Sequence, residues 1–169
     1  MKNTILITGT STGFGKLMTK TLSKAGHIVL AAMRETAGKN AAVARELGAL
    51  PNVEVIEMDI TSDESVNQAV NGVLAKYKKI DVLVNNAGVA GFGLFEAFSI
   101  DQMKKMLDVN LFGVVRTYQA VLPSMRKNKS GLIINLTTGA SGFALPFMVP
   151  YGISKFAVGQ VHVAVNSFG

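Results

Sequence analysis

Tyr151 and Lys155 stand four residues apart in the stretch YGISK. On a helix that spacing is just over one turn, so the phenol and the ammonium share a face. Pro150 comes immediately before, where a helix start tolerates a residue without an N–H. Tyr151 then falls in a first helical turn, near the positive end of the helix dipole. A cation and a helix N-terminus both favour a phenolate. A free tyrosine phenol loses its proton near pH 10, which costs about 4 kcal/mol at pH 7; neighbouring positive charge offsets part of that cost. The pair is therefore a candidate proton-transfer device. The same residues also read as a surface tyrosine beside a solvated lysine, and only the rest of the chain separates the two.

A second candidate lies in TGTSTGFG, residues 8–15. Gly9, Gly13 and Gly15 let the backbone turn tightly and approach a ligand closely. The stretch follows an apolar run and opens a helical pattern. A helix start offers free N–H groups and a positive dipole to a pyrophosphate. Glycines alone mark turns; placed between a strand and a helix they point to a dinucleotide.

The elements that must position these residues alternate. TILIT (4–8), IVLAAM (28–33), VEVIEM (53–58), DVLVN (81–85) and LIINLT (132–137) read as strands, several apolar almost throughout, as buried parallel strands are. Helices are expected over 14–25, 37–47, 62–78, 101–127 and 151–167. Thr61 with Glu64, and Ser99 with Gln102, have capping-box spacing, and Pro123 should bend or end the longest helix. The alternation predicts an α/β doubly wound parallel sheet in three layers, one domain over residues 1–169.

Composition narrows the function classes. The 169 residues are 49% hydrophobic and 17% charged, with a net charge of +6, which describes a globular chain with a real core. The absence of cysteine excludes disulfides, thiol catalysis and thiolate metal sites, and fits a reducing compartment. His27 and His162 have no carboxylate cluster about them in sequence, so no metal site is expected. The basic residues are spread out and lack interleaved aromatics, which argues against a nucleic-acid partner. The uncharged stretch 131–154 is broken by Pro146, Pro150 and several polar residues, so it is not read as a membrane span, and the N-terminal apolar run is too short for a signal peptide. A cytoplasmic location is the expectation.

The ordered motifs resemble the classical short-chain dehydrogenase/reductase family over essentially the whole chain. TGTSTGFG looks like its cofactor loop, MDIT (58–61) its adenine motif, NNAG (85–88) its central-strand motif, and YGISK its Tyr/Lys pair. VNLFG supplies Asn110 and INLTTG supplies Thr138, where the family usually has Ser. The resemblance implies a Rossmann-like fold and a nicotinamide cofactor. It implies that Tyr151 is the general acid/base and that Lys155 also binds the nicotinamide ribose. Thr138 would bond the substrate oxygen, and the Asn110 amide would help hold a water in the proton path. Cofactor contacts are implied for Gly9, Thr10, Ser11, Thr12, Gly13, Phe14, Gly15, Asp59, Ile60, Asn86, Ala87 and Gly88, besides Tyr151 and Lys155.

At the end of the second strand, Met33 stands where NAD-preferring folds place a carboxylate, and Arg34 follows. NADP(H) is favoured, with NAD(H) as the alternative and a solvated Arg34 beside Glu35 as the plain reading. Apolar residues in 89–98 and 139–150, Phe143, Leu145, Phe147 and Met148 among them, suit an apolar ketone or secondary alcohol. The uncharged stretch 156–169 suggests cover by a second copy, hence a homo-oligomer, and the family's usual C-terminal elements are expected beyond the given residues. A dinucleotide-binding sensor or partner protein without turnover is the competing function.

Overall fold

Burial in each strand follows its place in the sheet. The computed structural model describes residues 2–139 and 145–165, and side chains as far as residue 161. Five parallel strands, β1 (Thr4–Thr8), β2 (Ile28–Met33), β3 (Val53–Glu57), β4 (Val82–Asn85) and β5 (Leu132–Asn135), lie in the order β3-β2-β1-β4-β5. β1 sits at the centre and is buried along its whole length; the outer strands β3 and β5 are partly open. That is why TILIT runs apolar in its middle without alternation: helices cover both of its faces.

Successive strand residues point to opposite faces. On one face Ile5, Ile7, Val29, Val82 and Val84 pack with Met18 and Leu22 of α1 (Gly13–Lys24). Beside them Ala31 and Met33 meet Val43 and Leu47 of α2 (Ala41–Gly48). On the other face Leu6, Leu30, Ala32 and Leu83 meet Val66, Val70 and Val73 of α3 (Asp63–Tyr77), and Val121 and Met125 of α5 (Gly113–Asn128). Each Leu, Ile, Val or Met side chain among them, where fully buried, contributes about 1.5–3 kcal/mol of apolar transfer. The doubly wound, three-layer sheet is the one expected. α4 (Ile100–Leu107) precedes α5, and α6 (Val149–Val165) packs its Val158 against Val114 and Tyr118 of α5.

Several local expectations are corrected. The predicted helix over 101–127 is two α-helices joined by a π-helical turn, residues 108–112, closed by a bond from the Gly113 N–H to the Asp108 carbonyl. Pro123 lies inside α5, which ends five residues later at Asn128, one residue past the expected end. The capping box at Ser99 and Gln102 forms, but α3 is capped by Ser62, whose hydroxyl accepts from the Ser65 N–H; Thr61 is drawn instead to Asp59. α2 starts four residues later than predicted because residues 34–40 fold into a bonded loop of their own. Phe143 and the rest of 140–144, residues 166–169 and the His162 side chain lie outside what is described. No described helix is long and apolar enough to cross a membrane.

The chain leaves β1 toward β2 on one side, and β4 lies on its other side, so a crevice opens above the C-terminal ends of β1 and β4. α1 and α2 flank it and are tied by Glu46, whose two oxygens each take a lysine, Lys16 and Lys20, at 2.7 Å. These two hydrogen-bonded ammonium groups hold the Glu46 carboxyl at about 2, against an ordinary 4.5. A depressed pKa stabilises the fold above the unfolded value and loses that contribution as pH falls through the folded one. The melting temperature of the parent should therefore fall more steeply than that of Glu46→Gln between about pH 4.5 and 2. Parallel slopes in a thermal-denaturation series would show that the clamp adds nothing.

Candidate active site

A cleft of about 440 Å³ occupies the crevice. Its floor is a seam without room for side chains. A Cβ at Gly9 would lie 2.7 Å from the Ala87 Cα, and one at Gly15 would strike the Gly9 carbonyl oxygen. Asn86 closes the seam: its Nδ2 donates to the Thr8 and Gly9 carbonyls at 2.8 and 3.0 Å. The N–H groups of Asn86 and Ala87 both donate to the Thr8 hydroxyl at 3.1 Å. Above it, Thr12 and Gly13 begin α1; the Thr12 side chain makes no cap bond and the first turn holds no acidic residue. The first N–H groups of α1 are thus left for an anion to satisfy.

At the far wall Asp59 presents a carboxylate. Burial pushes its pKa up, but two bonds from Thr61 and the nearby charges of Arg34 and Arg116 outweigh this and hold it below the ordinary value. Arg34 and Lys39 line the same wall, and neither is in an ion pair among the described residues, Glu35 included.

A second cleft of about 240 Å³ holds Tyr151, Lys155, Leu136 and Thr137, and shares Phe14, Asn86, Gly88 and Val89 with the first. Lys155 is buried, and its Nζ donates to the Leu136 carbonyl at 2.8 Å; burial pulls its pKa below the usual lysine value. Tyr151 is the third residue of α6, in its first turn, as its spacing from Lys155 and Pro150 predicts. Asn110 lies wholly buried in the π-helical turn and lines neither cleft. Its Oδ1 accepts from the Val89 N–H at 2.8 Å, while its Nδ2 donates to the Val89 carbonyl at 2.8 Å and to the Ser154 hydroxyl at 2.9 Å. The Ser154 hydroxyl donates in turn to the Tyr151 carbonyl at 2.7 Å. Both amide hydrogens of Asn110 are spent on protein, and the residue staples the segment after β4, at Val89, to the start of α6, at Ser154. Gly88 fits between, where a Cβ would come within 3.2 Å of the Asn110 Oδ1 and 3.4 Å of the Lys155 Nζ.

Of the residues singled out in the sequence, Gly9, Ser11, Thr12, Gly13, Phe14, Arg34, Asp59, Ile60, Asn86, Ala87 and Gly88 line the first cleft, and Tyr151 and Lys155 the second. Thr10 and Gly15 line neither. Thr10 is buried and donates its hydroxyl to the Ala32 carbonyl at 3.1 Å, fastening the loop to β2. Gly15 serves the packing of the loop itself. Thr138 is half-buried outside both linings, while its neighbour Thr137 lines the second cleft. Sequence reading passed over Ser154, and also Lys39 and Asn40 in the first wall. The last two follow β2 at the ligand-binding edge of an open α/β sheet, which was the available signal.

The short chain dehydrogenase family model matches residues 3–166. A 3-ketodihydrosphingosine reductase of Bacteroides thetaiotaomicron is 37% identical over 154 residues, covering 91% of this chain and 54% of its own length. Retinol dehydrogenase 8 of Bos taurus is 36% identical over 161 residues, covering 92% and 50%. A solved gluconate 5-dehydrogenase from Burkholderia cenocepacia, in complex with NADP and tartrate, superposes with a TM-score of 0.86 at 30% identity, over 95% of this chain and 64% of that one. The chain spans about half the length of the curated relatives it matches. A glycine seam at the β1–β4 switch point, a buried lysine one helical turn from a cleft-lining tyrosine, and a family match over nearly every residue converge: the chain belongs to the short-chain dehydrogenase family.

Proposed function

We propose that the protein is an oxidoreductase that transfers a hydride between a nicotinamide dinucleotide, by preference NADP(H), and a carbonyl or secondary alcohol. The observation that carries this reading is the continuity of the two clefts: Phe14, Asn86, Gly88 and Val89 line both, so a ligand on the glycine seam extends toward Tyr151 and Lys155. The seam that excludes a Cβ and the open start of α1 fit a pyrophosphate; Arg34 fits a 2′-phosphate. When bound, the nicotinamide supplies or accepts the hydride. Tyr151 exchanges the proton with the substrate oxygen. Lys155 stabilises negative charge developing on the Tyr151 oxygen and is in reach of the second cleft, where it binds the ribose. Thr138 donates its hydroxyl to the substrate oxygen. Asn110 and Ser154 hold α6 against the segment that follows β4 so that Tyr151 and Lys155 stay aligned.

An apolar substrate is supported by the exposed Phe92, Leu94 and Phe147, with a bond from the Gly93 N–H to the Phe147 carbonyl at 2.9 Å joining their two loops. The relatives named for a ketodihydrosphingosine and for retinol support it further. Exposed Phe112, Ile153 and Phe156, in the π-helical turn and on α6, support self-association through this region.

A panel of carbonyls assayed with NADPH and NADH in parallel tests the reading. Tyr151→Phe keeps shape and cofactor binding but should abolish turnover. Thr138→Val should lower the turnover number on the order of 10²-fold, as for one lost polarising bond, whereas Thr137→Val should stay within a few-fold of the parent. Parent-like turnover by both Tyr151→Phe and Thr138→Val would remove the site assignment.

Arg34→Ala should raise the Michaelis constant for NADPH roughly ten- to a hundredfold and leave that for NADH nearly untouched. Equal losses with the two cofactors would remove the 2′-phosphate contact. Ser154→Ala leaves a buried amide hydrogen of Asn110 without a partner. It should cost about 1–3 kcal/mol in denaturant unfolding and lower kcat more than it raises KM for the cofactor. An unchanged kcat would show that the staple has no part in alignment.

A further inference from the structure

The loop between β2 and α2 carries Arg34 and Lys39, the two cations of the cofactor cleft without an ion pair among the described residues, yet its shape is set from outside that cleft. Glu57, the last residue of β3, does not line the cleft. One oxygen of its carboxylate accepts from the Glu35 N–H at 2.7 Å, and the other accepts from the Thr36 N–H at 2.8 Å and from the Thr36 hydroxyl. Two successive N–H groups converging on one carboxylate make an anion nest. The nest needs Glu35 in the left-handed region, at φ +55, which costs a residue with a Cβ about 1 kcal/mol or more. The Glu57 bonds oppose that cost. The other end of the loop is closed by Asn40, whose Nδ2 donates to the Arg34 carbonyl at 2.7 Å. Inside it, the N–H groups of Gly38 and Asn40 both donate to the Glu35 carbonyl, at 3.1 and 3.0 Å.

We propose that Glu57 is a positioning residue for cofactor choice: by filling the nest at Glu35 and Thr36 it holds the loop in the shape that presents Arg34 and Lys39 to the 2′-phosphate of NADP(H). The inference rests on the NADP(H) preference proposed above. The Thr36 bond is the chief reason that the Glu57 carboxyl lies below its ordinary value, so Glu57 sits in the nest as the anion. A carboxylate near a phosphate would by charge alone weaken its binding, and its neutralisation would then tighten NADPH. A clamp acts with the opposite sign. Gln in its place keeps the shape but turns an NH₂ toward an N–H donor, so the nest opens and NADPH binds less well.

The direction of the change therefore decides. Binding of NADPH and of NADH is measured by nicotinamide fluorescence on the parent, Glu57→Gln and Thr36→Val, each first checked for cooperative thermal unfolding. Expected is a parent that prefers NADPH, with Glu57→Gln roughly tenfold weaker for NADPH and within about twofold for NADH. Thr36→Val removes the hydroxyl donor without changing any charge and should shift the preference in the same direction by less. Unchanged or tighter NADPH binding in Glu57→Gln overturns the clamp while the cofactor preference of the parent stands. Equal weakening for both cofactors also overturns it, because a general loosening of the fold has no 2′-phosphate signature. A parent that binds the two cofactors alike overturns the preference itself, and the clamp with it. If Glu57→Gln does not unfold cooperatively, Thr36→Val alone decides by the same readings.

Discussion

The absence of space above the ends of β1 and β4 governs the site. Gly9 lies against Ala87 and Gly15 against the Gly9 carbonyl, each too close for a Cβ, and Asn86 stitches the two strands' ends across the gap. Close approach of backbone to backbone lets backbone approach a ligand in turn. It also explains why the first helix begins where it does, with an uncapped start facing the cleft, while α3 and α4 carry serine caps. The sheet order makes this the place where the chain reverses direction across the sheet, so the ligand crevice and the packing constraint have one origin.

A second closure operates on the other side of β4. Asn110 and Ser154 are wholly buried and bonded to each other and to the Val89 and Tyr151 backbone, and a break between them strands an Asn110 donor away from water. Beneath it, Asn85 bonds Asn135 at 2.9 Å, and Asn135 bonds the Tyr118 hydroxyl at 2.9 Å. The Leu136 carbonyl that receives Lys155 follows immediately on this ladder. The buried lysine is thus set by strand pairing as well as by its own helix.

Much of this was legible in the residues. The five strands, the glycine loop and the Tyr/Lys pair announced themselves because parallel strands buried on two faces and tight backbone approaches tolerate few residue types. What escaped was of another kind. Thr10 and Gly15 sit inside the glycine motif but serve the loop: the Thr10 hydroxyl turns to the Ala32 carbonyl, and Gly15, in the first turn of α1, leaves room for the Gly9 carbonyl. The break in the helix over 101–127 ends at Gly113, but a glycine in a helical pattern does not mark a π-helical turn, which arises from an extra residue rather than from a special one. Ser62 displaced Thr61 as a cap when Asp59 claimed the Thr61 hydroxyl, a competition decided by contacts two residues back. The partners of Ser154 and Glu57 are distant in sequence, 44 and 21–22 residues away, and no local pattern carries them.

The π-helical turn has a consequence for how such a chain tolerates insertions and deletions. An α-helix advances about 100° per residue, so one extra residue in α conformation would rotate the downstream helix by that much, whereas a wide turn takes the residue up locally. Asn110 sits in the extra width, and Arg116 braces the turn by bonding Asp108 at 2.9 Å and the Ile60 carbonyl at 3.2 Å. Losing one residue between Asp108 and Phe112 would let the helix rewind as one regular piece, with Val114, Tyr118 and Val121 still facing the core. The cost would fall on Asn110, which holds Val89 from within that wide turn. A deletion in this short segment therefore damages the site more than the packing of α5.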